Sequence, residues 1–417
     1  MLSNQNINRL VKSLKNKKIA VLGLGREGLS TLKFLKRNKI KCDVLDAKFD
    51  KDYLESLGQY DFIFRTPGFP RLHPKLLEAE KKGTLISSHI KLFFDLCPAK
   101  IIGITGTKGK TTTAFLTYKI LKSRFAKKVF LAGNFGKPAL NILPKLKKDS
   151  LAVLELSSFQ LQDLTKSPHV ALITNITLDH LDKHKNFKEY FGAKINIIKH
   201  QSKNDWALIN PRLKKKLKNT GGGRKTFPEA LLLETKLKGG HNLGNIALAQ
   251  EVGKIFKVPP RKILKAVKNF KAIEHRLEFV KKINGILFYN DSAATNPEAT
   301  LAALKSFNEP LHLILGGSDK GLDYEKLTEY ILKSKNIRTT ALIGQIKNKL
   351  YELLTHGRIK IKRFKTLKEA VLTSVKNAGK NEVVLLSPAA ASLDMFENYA
   401  QRGEEFKKLV RRLQRSR

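Results

Sequence analysis

Short apolar runs alternate with helix-length amphipathic segments along almost the whole chain. KKIAVLGLG reads as a strand entering a glycine-rich loop, LSTLKFLKRN as a helix, KCDVLDA as a second strand and YDFIFRTPGF as a third. Strands separated by helices in this way imply βαβ units and a parallel sheet. After Cys97-Pro98, a plausible boundary, a new strand begins at KIIGIT, and LAVLELS (151–157) and HVALITNI (169–176) continue a second parallel sheet. Residues 203–240 read as short strands and turns broken at Gly221-Gly222-Gly223, and HNLGNIALAQEVGKIF (241–256) as a helix. After KNFKAIEHR a third α/β pattern carries four strands, ILFYND, LHLILGG, TTALIG and EVVLLSPA. The chain shows no internal repeat, although each third has its own α/β pattern.

Composition narrows this picture. A chain of 417 residues with 41% hydrophobic residues has enough core for several folded domains. The basic N-terminal segment MLSNQNINRLVKSLKNKK lacks an apolar h-region, and no apolar run has the length of a membrane span, so a cytoplasmic protein is expected. Cys42 and Cys97 are the only cysteines, which excludes a disulfide framework and any zinc spacing. The charge is unusual: 80 Lys+Arg against 36 Asp+Glu leave a net +44. Such a balance favours polyanions, but the bases are dispersed, and the densest runs, RLKKKLK (212–218) and KKLVRRLQRSR (407–417), have no interleaved aromatics. Solvated lysine surface is the main reading, with no specific nucleic-acid site; adhesion to nucleic acid or membrane is the minority one.

Two loops carry phosphate chemistry. In VLGLGREGLS, Gly23, Gly25 and Gly28 fit G-x-G-x-x-G between a strand and a helix, and Asp46 stands where a ribose-binding acid is expected. That pattern predicts a diphosphate, with NAD or another carrier left open. In IIGITGTKGKTTTAFL, the loop Thr105-Gly106-Thr107-Lys108-Gly109-Lys110-Thr111 joins strand to helix. Its amides can wrap ATP phosphates, Lys110 would reach the β/γ-phosphates and the Thr111 hydroxyl would coordinate Mg²⁺. Ile104 occupies the place of the first glycine of the strict form.

Other residues stay ambiguous on pattern alone. Glu155, inside an apolar strand, is either a Mg²⁺ ligand or half of a structural ion pair. Asn186-x-x-Glu189 fits a capping box opening a helix whose apolar stripe is Phe187, Tyr190, Phe191, Ile195 and Ile198. Lys194 falls on that stripe, where a lysine commonly snorkels outward and is otherwise recruited for chemistry. His180, between Asp179 and Asp182, is a metal ligand, a general base or plain surface. In the last third, Arg276, Asp291, Lys320 and Ser392 stand in loops, two of them directly after predicted strands, where open α/β sheets bind ligands. Together they suit an anionic, amine-bearing substrate beside a nucleotide.

At this point the sequence resembles the ATP-dependent Mur ligases of peptidoglycan synthesis. The matching runs are TPGFPRLHP, GITGTKGKTTT, AGNFGKPA, LELSSFQL, NITLDHLD, GGHNLGN, HRLEF, NDSAATN, LGGSDKG and LLSPAAASLDMFENYAQRGEEF, from about residue 20 to 406 in family order. SPAAASLD-F-N-RG and NDS-ATN are similar to the branch that adds D-glutamate. The resemblance implies three α/β domains: a Rossmann-like UDP-substrate domain (1–97), a central P-loop ATPase-type parallel sheet (98–272) and a Rossmann-like amino-acid domain (273–417). It implies UDP-N-acetylmuramoyl-L-alanine, D-glutamate and ATP as substrates of a monomer, with two Mg²⁺ sites. Lys110, His180 and Lys194 match catalytic positions, with Lys194 carbamylated. Thr111, Glu155, His180 and the Lys194 carbamate match metal ligands.

For ATP, the resemblance implies Gly106, Thr107, Lys108, Gly109, Lys110, Thr111, Thr112, Asn242, Asn245, Arg276 and Asp291. For the UDP substrate it implies Gly25, Arg26, Glu27, Asp46, Ala47, Thr66, Pro67, Gly68, Asn134 and His180; for D-glutamate, Thr295, Lys320, Ser392, Leu393 and Tyr399. The implied reaction activates the L-alanyl carboxylate as an acyl phosphate, which the D-glutamate amine then attacks. Four departures mark this chain: Ala294 where a lysine is common, Tyr399 for a frequent Phe, Ala47-Lys48 for a Thr-Arg pair, and Glu27 where a small hydroxylated residue often meets the diphosphate.

Overall fold

Three parallel or mostly parallel sheets organise the chain in the computed structural model, which describes residues 3–179, 183–230, 235, 237, 239–357 and 359–413. They fall into two compact units, Met1–Leu233 with Leu243–Lys268, and Glu234–Asn242 with Asn269–Arg417.

The first unit holds two sheets. The smaller has the order Asp43–Leu45, Ile19–Leu22, Phe62–Arg65, Leu85–Ser88, all parallel. The larger has the order Arg224–Thr226, Trp206–Ile209, Val170–Ile173, Lys100–Thr105, Leu151–Glu155, Val129–Gly133, again all parallel. Parallel strands covered on both faces read as continuous apolar runs, and alternate residues enter opposite cores. Ile19 and Val21 join the large core that continues into the central sheet, whereas Ala20 and Leu22 face a smaller cluster with Ile63, Leu76 and Ala79. In each sheet the first strand lies between later ones, so the order in which strands are added reverses beside it. That switch point opens a crevice at the carboxyl ends, and both glycine-rich loops leave from it.

Side chains tie the two sheets of this unit together. Arg65, 1% exposed, donates to Asp163 Oδ2 from Nε at 3.1 Å and from a terminal nitrogen at 2.6 Å. Arg71 Nε pairs with the other oxygen of Asp163 at 3.0 Å. Ser30 donates to Asn141 at 2.6 Å, and the buried His89 ring accepts from the Leu140 amide at Nε2, 3.2 Å. With Nε2 accepting, the proton sits on Nδ1, 3.1 Å from Thr31 Oγ1.

Burial pulls the His89 imidazole down to about 3. The unfolded chain therefore takes up a proton below the ordinary histidine range that the fold refuses. This contribution to stability is complete above about pH 6.5 and is lost progressively toward pH 3, by at most about 1.4 kcal/mol per pH unit. Urea midpoints measured from pH 7 down to 4.5 should fall less steeply for His89→Gln than for wild type; equal slopes would contradict the assignment.

The second unit is built on one sheet in the order Glu278–Ile283, Ile286–Asn290, Val383–Leu386, Leu311–Gly316, Ile337–Ile343, Lys360–Arg363. Only the first pair is antiparallel. Leu311, Leu313 and Leu315 pack into one core, Ile314 with Val384 and Leu386 into the other. The four apolar strands expected here are present, with two polar edge strands that the pattern missed. Leu85–Ser88 and Val129–Gly133 were also not anticipated, nor was the helix Ser3–Leu14.

Candidate functional site

The first glycine-rich loop opens a cavity of about 420 Å³ lined by Gly23, Leu24, Gly25, Arg26, Glu27, Asp46, Thr66, Pro67, Gly68, Phe69 and Asn134. Three strand ends meet there: the loop follows Ile19–Leu22, Asp46 follows Asp43–Leu45, and Thr66 to Phe69 follow Phe62–Arg65. Glycine is needed for contact at two places. A Cβ on Gly28 would lie 2.0 Å from the Gly23 carbonyl oxygen, and one on Gly23 (φ +88°) would lie 2.4 Å from Thr66 Oγ1. Asp46 Oδ2 accepts from the Leu24 amide at 2.7 Å and Oδ1 from the Lys48 amide at 3.0 Å. These amides hold its carboxyl below the usual carboxylate range, so Asp46 shapes the loop as well as facing the cavity. Ala47, expected to touch the same ligand, is not among the lining residues: the chain turns there, and Asp46 takes the cavity side.

Glu27 accepts a short hydrogen bond from Gln160 Nε2, while its Oε2 is buried without a partner among the described residues. Burial pushes this carboxyl up to about 7 against the pull of Gln160, Arg26 and Arg65. Arg26 donates to the Asn134 carbonyl oxygen at 3.1 Å.

The second loop lies at the carboxyl end of Lys100–Thr105. Gly106 (φ +151°) has no room for a Cβ against Thr174 Oγ1, and Gly109 (φ +83°) caps helix Lys110–Phe125 in the left-handed region, its Cβ position 2.4 Å from Asn245 Oδ1. Asn245 is thereby placed on the loop. Asn242, at the start of the same helix His241–Ile255, is buried. The residues after Val170–Ile173 brace the loop: Thr107 N donates to Asn175 O (2.9 Å), Lys108 N to Asn175 Oδ1 (2.9 Å), and Thr174 Oγ1 to Lys108 O (2.6 Å). Thr107 Oγ1 lies 2.8 Å from the Tyr190 hydroxyl. Lys110 Nζ donates to the carbonyls of Gly106 (2.9 Å) and Thr107 (2.8 Å). Thr111 is buried and Thr112 half-buried in the first turn, with the loop amides at the helix N-terminus, the arrangement that favours anions.

Glu155 ends the neighbouring strand, paired with Ile104, and is buried. Its Oε1 accepts from Asn134 Nδ2 at 3.1 Å, and its Oε2 has no hydrogen-bond partner among the described residues. A buried carboxylate oxygen left unmatched next to a phosphate loop is costly unless a cation completes it. The donor set Thr111 and Glu155 fits a hard divalent ion such as Mg²⁺.

Lys194 does not snorkel. It lies on the buried side of Phe187–Lys199, 2% exposed, with Nζ 2.8 Å from the Gly106 carbonyl oxygen and over the Tyr190 ring. Burial and the Lys110 ammonium push its amine down to about 6, against the pull of Asp179 and Glu155. His180 lies outside the described residues. Asn186 caps this helix through the Glu189 amide at 2.9 Å, but the Glu189 side chain pairs with His184 and accepts from Gln162, so the expected box is half formed. His184 is buried between Glu189 and Ser158 Oγ (2.9 Å) and stacks on Phe159. Thr174, Asn175 and His184 were not singled out by sequence; the Asn-Ile-Thr run directly after a strand was the available signal.

In the second unit, Asp291, directly after strand Ile286–Asn290, anchors the turn that carries Arg276. His275 (φ +65°) and Leu277 (φ +45°) hold left-handed backbone on either side of exposed Arg276. Asp291 Oδ1 accepts from the Leu277 amide at 3.0 Å and Oδ2 from Ser387 Oγ at 2.8 Å. Burial pushes the Asp291 carboxyl up to about 7 despite these bonds and Arg276.

Thr295, Lys320 and the Ser392-Leu393 pair stand on three loops at the same carboxyl edge, and Tyr399 begins helix Tyr399–Arg412. Ser392 is buried, while Lys320 and Leu393 are exposed. Buried Arg402 pins two of these loops, donating to Ser292 Oγ (3.0 Å), Ser292 O (2.9 Å), Ala390 O (3.0 Å) and Ala391 O (3.2 Å). Ser318 N donates to Ala391 O at 2.9 Å and brings in the third. Arg402 stands in the QRGEEF run with no spacing that marks it as a site residue.

Comparison with known proteins agrees with this layout. Residues 104–230 match the Mur ligase middle domain and residues 275–390 the Mur ligase, glutamate ligase domain. The UDP-N-acetylmuramoylalanine--D-glutamate ligase of Acetivibrio thermocellus is 37% identical, across 98% of this chain and 99% of that protein. The protein of the same name from Clostridium tetani is 35% identical across 98% and 100%. Among solved structures, the UDP-N-acetylmuramate-alanine ligase of Thermotoga maritima aligns with a TM-score of 0.58 at 18% identity, covering 96% of this chain and all of that one. The MurF ligase of the same organism, solved with ADP, gives 0.59 at 18% identity, over 96% and 97%. The two structures agree with the fold, and near-complete coverage at over a third identity extends the agreement to sequence: the chain belongs to the Mur ligase family.

Proposed function

We propose that the chain joins D-glutamate to UDP-N-acetylmuramoyl-L-alanine, converting ATP to ADP and phosphate, as a step of peptidoglycan precursor synthesis. The observation that carries this reading is Asn134. It lines the first cavity and donates to Glu155 beside the phosphate loop, so a substrate whose diphosphate sits on the Gly23–Gly28 loop can extend toward the nucleotide site. The names of the Acetivibrio and Clostridium relatives support the choice of amino acid. In this reading the three sheets serve the domains 1–97, 98–272 and 273–417, and the enzyme works as a cytoplasmic monomer.

The chain's own groups have distinct tasks. Gly25 and Arg26 hold the UDP diphosphate at a helix N-terminus. Lys110 leaves the Gly106 and Thr107 carbonyls to neutralise the γ-phosphate while the L-alanyl carboxylate oxygen attacks phosphorus and ADP departs. The D-glutamate amine then attacks the acyl carbon, loses a proton and expels phosphate. Thr111 and Glu155 would hold one Mg²⁺, and Lys194, as its carbamate with His180, a second; such ions supply charge neutralisation at the phosphate oxygens. Carbamylation needs a neutral amine, which the burial of Lys194 favours. Arg276 and Asp291 serve the nucleotide, and Thr295, Lys320, Ser392 and Tyr399 the amino acid, where a cation and hydroxyls can hold two carboxylates.

The test is incorporation of radiolabelled amino acid into UDP-N-acetylmuramoyl-L-alanine with ATP. D-glutamate should be incorporated; L-glutamate, L-alanine and meso-diaminopimelate should not. Incorporation of one of the others, or ATP hydrolysis stimulated by nucleic acid and indifferent to the UDP-sugar, would overturn the reading.

A further inference from the structure

In the first unit, helix Pro260–Lys268 packs against Lys110–Phe125, and the end of His241–Ile255 reaches both at Gly253. Ile120 meets Gly253 and Ile263 there, and Arg124 donates to the carbonyls of Phe256 and Lys257. The solvent face here includes exposed Lys122, Arg124, Lys257, Arg261, Lys262 and Lys265. Residues 110–130 contain no acidic side chain, and 243–268 contain only Glu251, which pairs with Lys254 at 2.9 Å. At the rim, Lys128 pairs with Asp149 at 2.6 Å. Leu264, 51% exposed, stands beside these cations on a short helix that buries Ile263 and Val267.

We propose that this face docks the protein onto an anionic lipid bilayer. The charge complements anionic headgroups, and the exposed Leu264 beside Arg261 and Lys265 adds one apolar side chain that can enter the lipid interface. Single-stranded nucleic acid would call for a groove with aromatic platforms, whereas Phe125 and Phe256 pack edge-to-face on one another at 6.3 Å. The overall charge of +44 makes some adhesion to any polyanion expected; the inference is that this face dominates it, and it holds whatever amino acid the enzyme adds.

Co-sedimentation of the full chain with vesicles tests it. Binding is expected to phosphatidylcholine vesicles containing phosphatidylglycerol, not to pure phosphatidylcholine, and to weaken in high salt. Changing Lys257, Arg261, Lys262 and Lys265 together to glutamine should lower partitioning by about tenfold or more. The same neutralisation of Lys33, Lys36, Arg37 and Lys41, exposed on another part of the first unit, should change it by less than about threefold. Both variants should keep wild-type turnover and melting temperature, since neither set lies in the binding machinery. Equal loss in both variants, no vesicle binding by wild type, or a preference for random duplex DNA that the first variant abolishes would each overturn the proposal.

Discussion

Replacing Lys194 by alanine is expected to lower kcat by about a thousandfold or more, with partial recovery on adding acetate or another short carboxylic acid. The side chain is buried 2.8 Å from the Gly106 carbonyl oxygen, in the wall of the phosphate loop. On the proposed reading this amine reacts with carbon dioxide to give a carbamate, and the substitution would remove that carboxylate while leaving space for a small one. Loss of the hydrogen bond to Gly106 alone would cost stability and would not respond to added carboxylate. Depleting bicarbonate should lower wild-type activity reversibly and leave the variant unchanged. Near-wild-type turnover in K194A would refute the assignment.

The second large effect is expected at Arg402. Arg402→Ala should destabilise the protein by about 4 kcal/mol, because three buried carbonyl groups and a hydroxyl lose their donor and a cavity remains. Burial already pulls this guanidinium down to about 10, and it persists because its planar fork serves two loops at once. Arg402→Lys keeps a charge without the fork and should recover little. If Arg402 positions the amino-acid loops, the KM for D-glutamate should rise in Arg402→Lys far more than the KM for ATP. Equal rises in both would mark a role in stability alone.

What was legible in the sequence was whatever local chemistry enforces. Both glycine-rich loops stand where sterics demand them, since Gly28 and Gly109 face atoms closer than any Cβ tolerates. The residues quoted around the first loop, apart from Ala47 and the undescribed His180, line a single cavity because three strand ends converge at one switch point. What depends on distant pairing was not legible. The helix pattern of Lys194 leaves snorkelling and recruitment for chemistry both open, and only the placement of Gly106, 88 positions away, shows why it stays inside. Arg65 and Asp163 are 98 positions apart and carry no motif. Polar edge strands such as Lys360–Arg363 escaped for a different reason: with one side open to water they lack the apolar run that marks their neighbours.

The Arg65–Asp163 pair has a consequence for ancestry and engineering. Each residue belongs to a different sheet module, and each is fully enclosed. A recombinant that took the first module from one relative and the second from another would have to inherit both halves of this pair in compatible geometry, or trap a lone charge. The first two modules should therefore travel together through evolution, and chimaeras joined near residue 97 should express poorly unless this contact is transplanted with them.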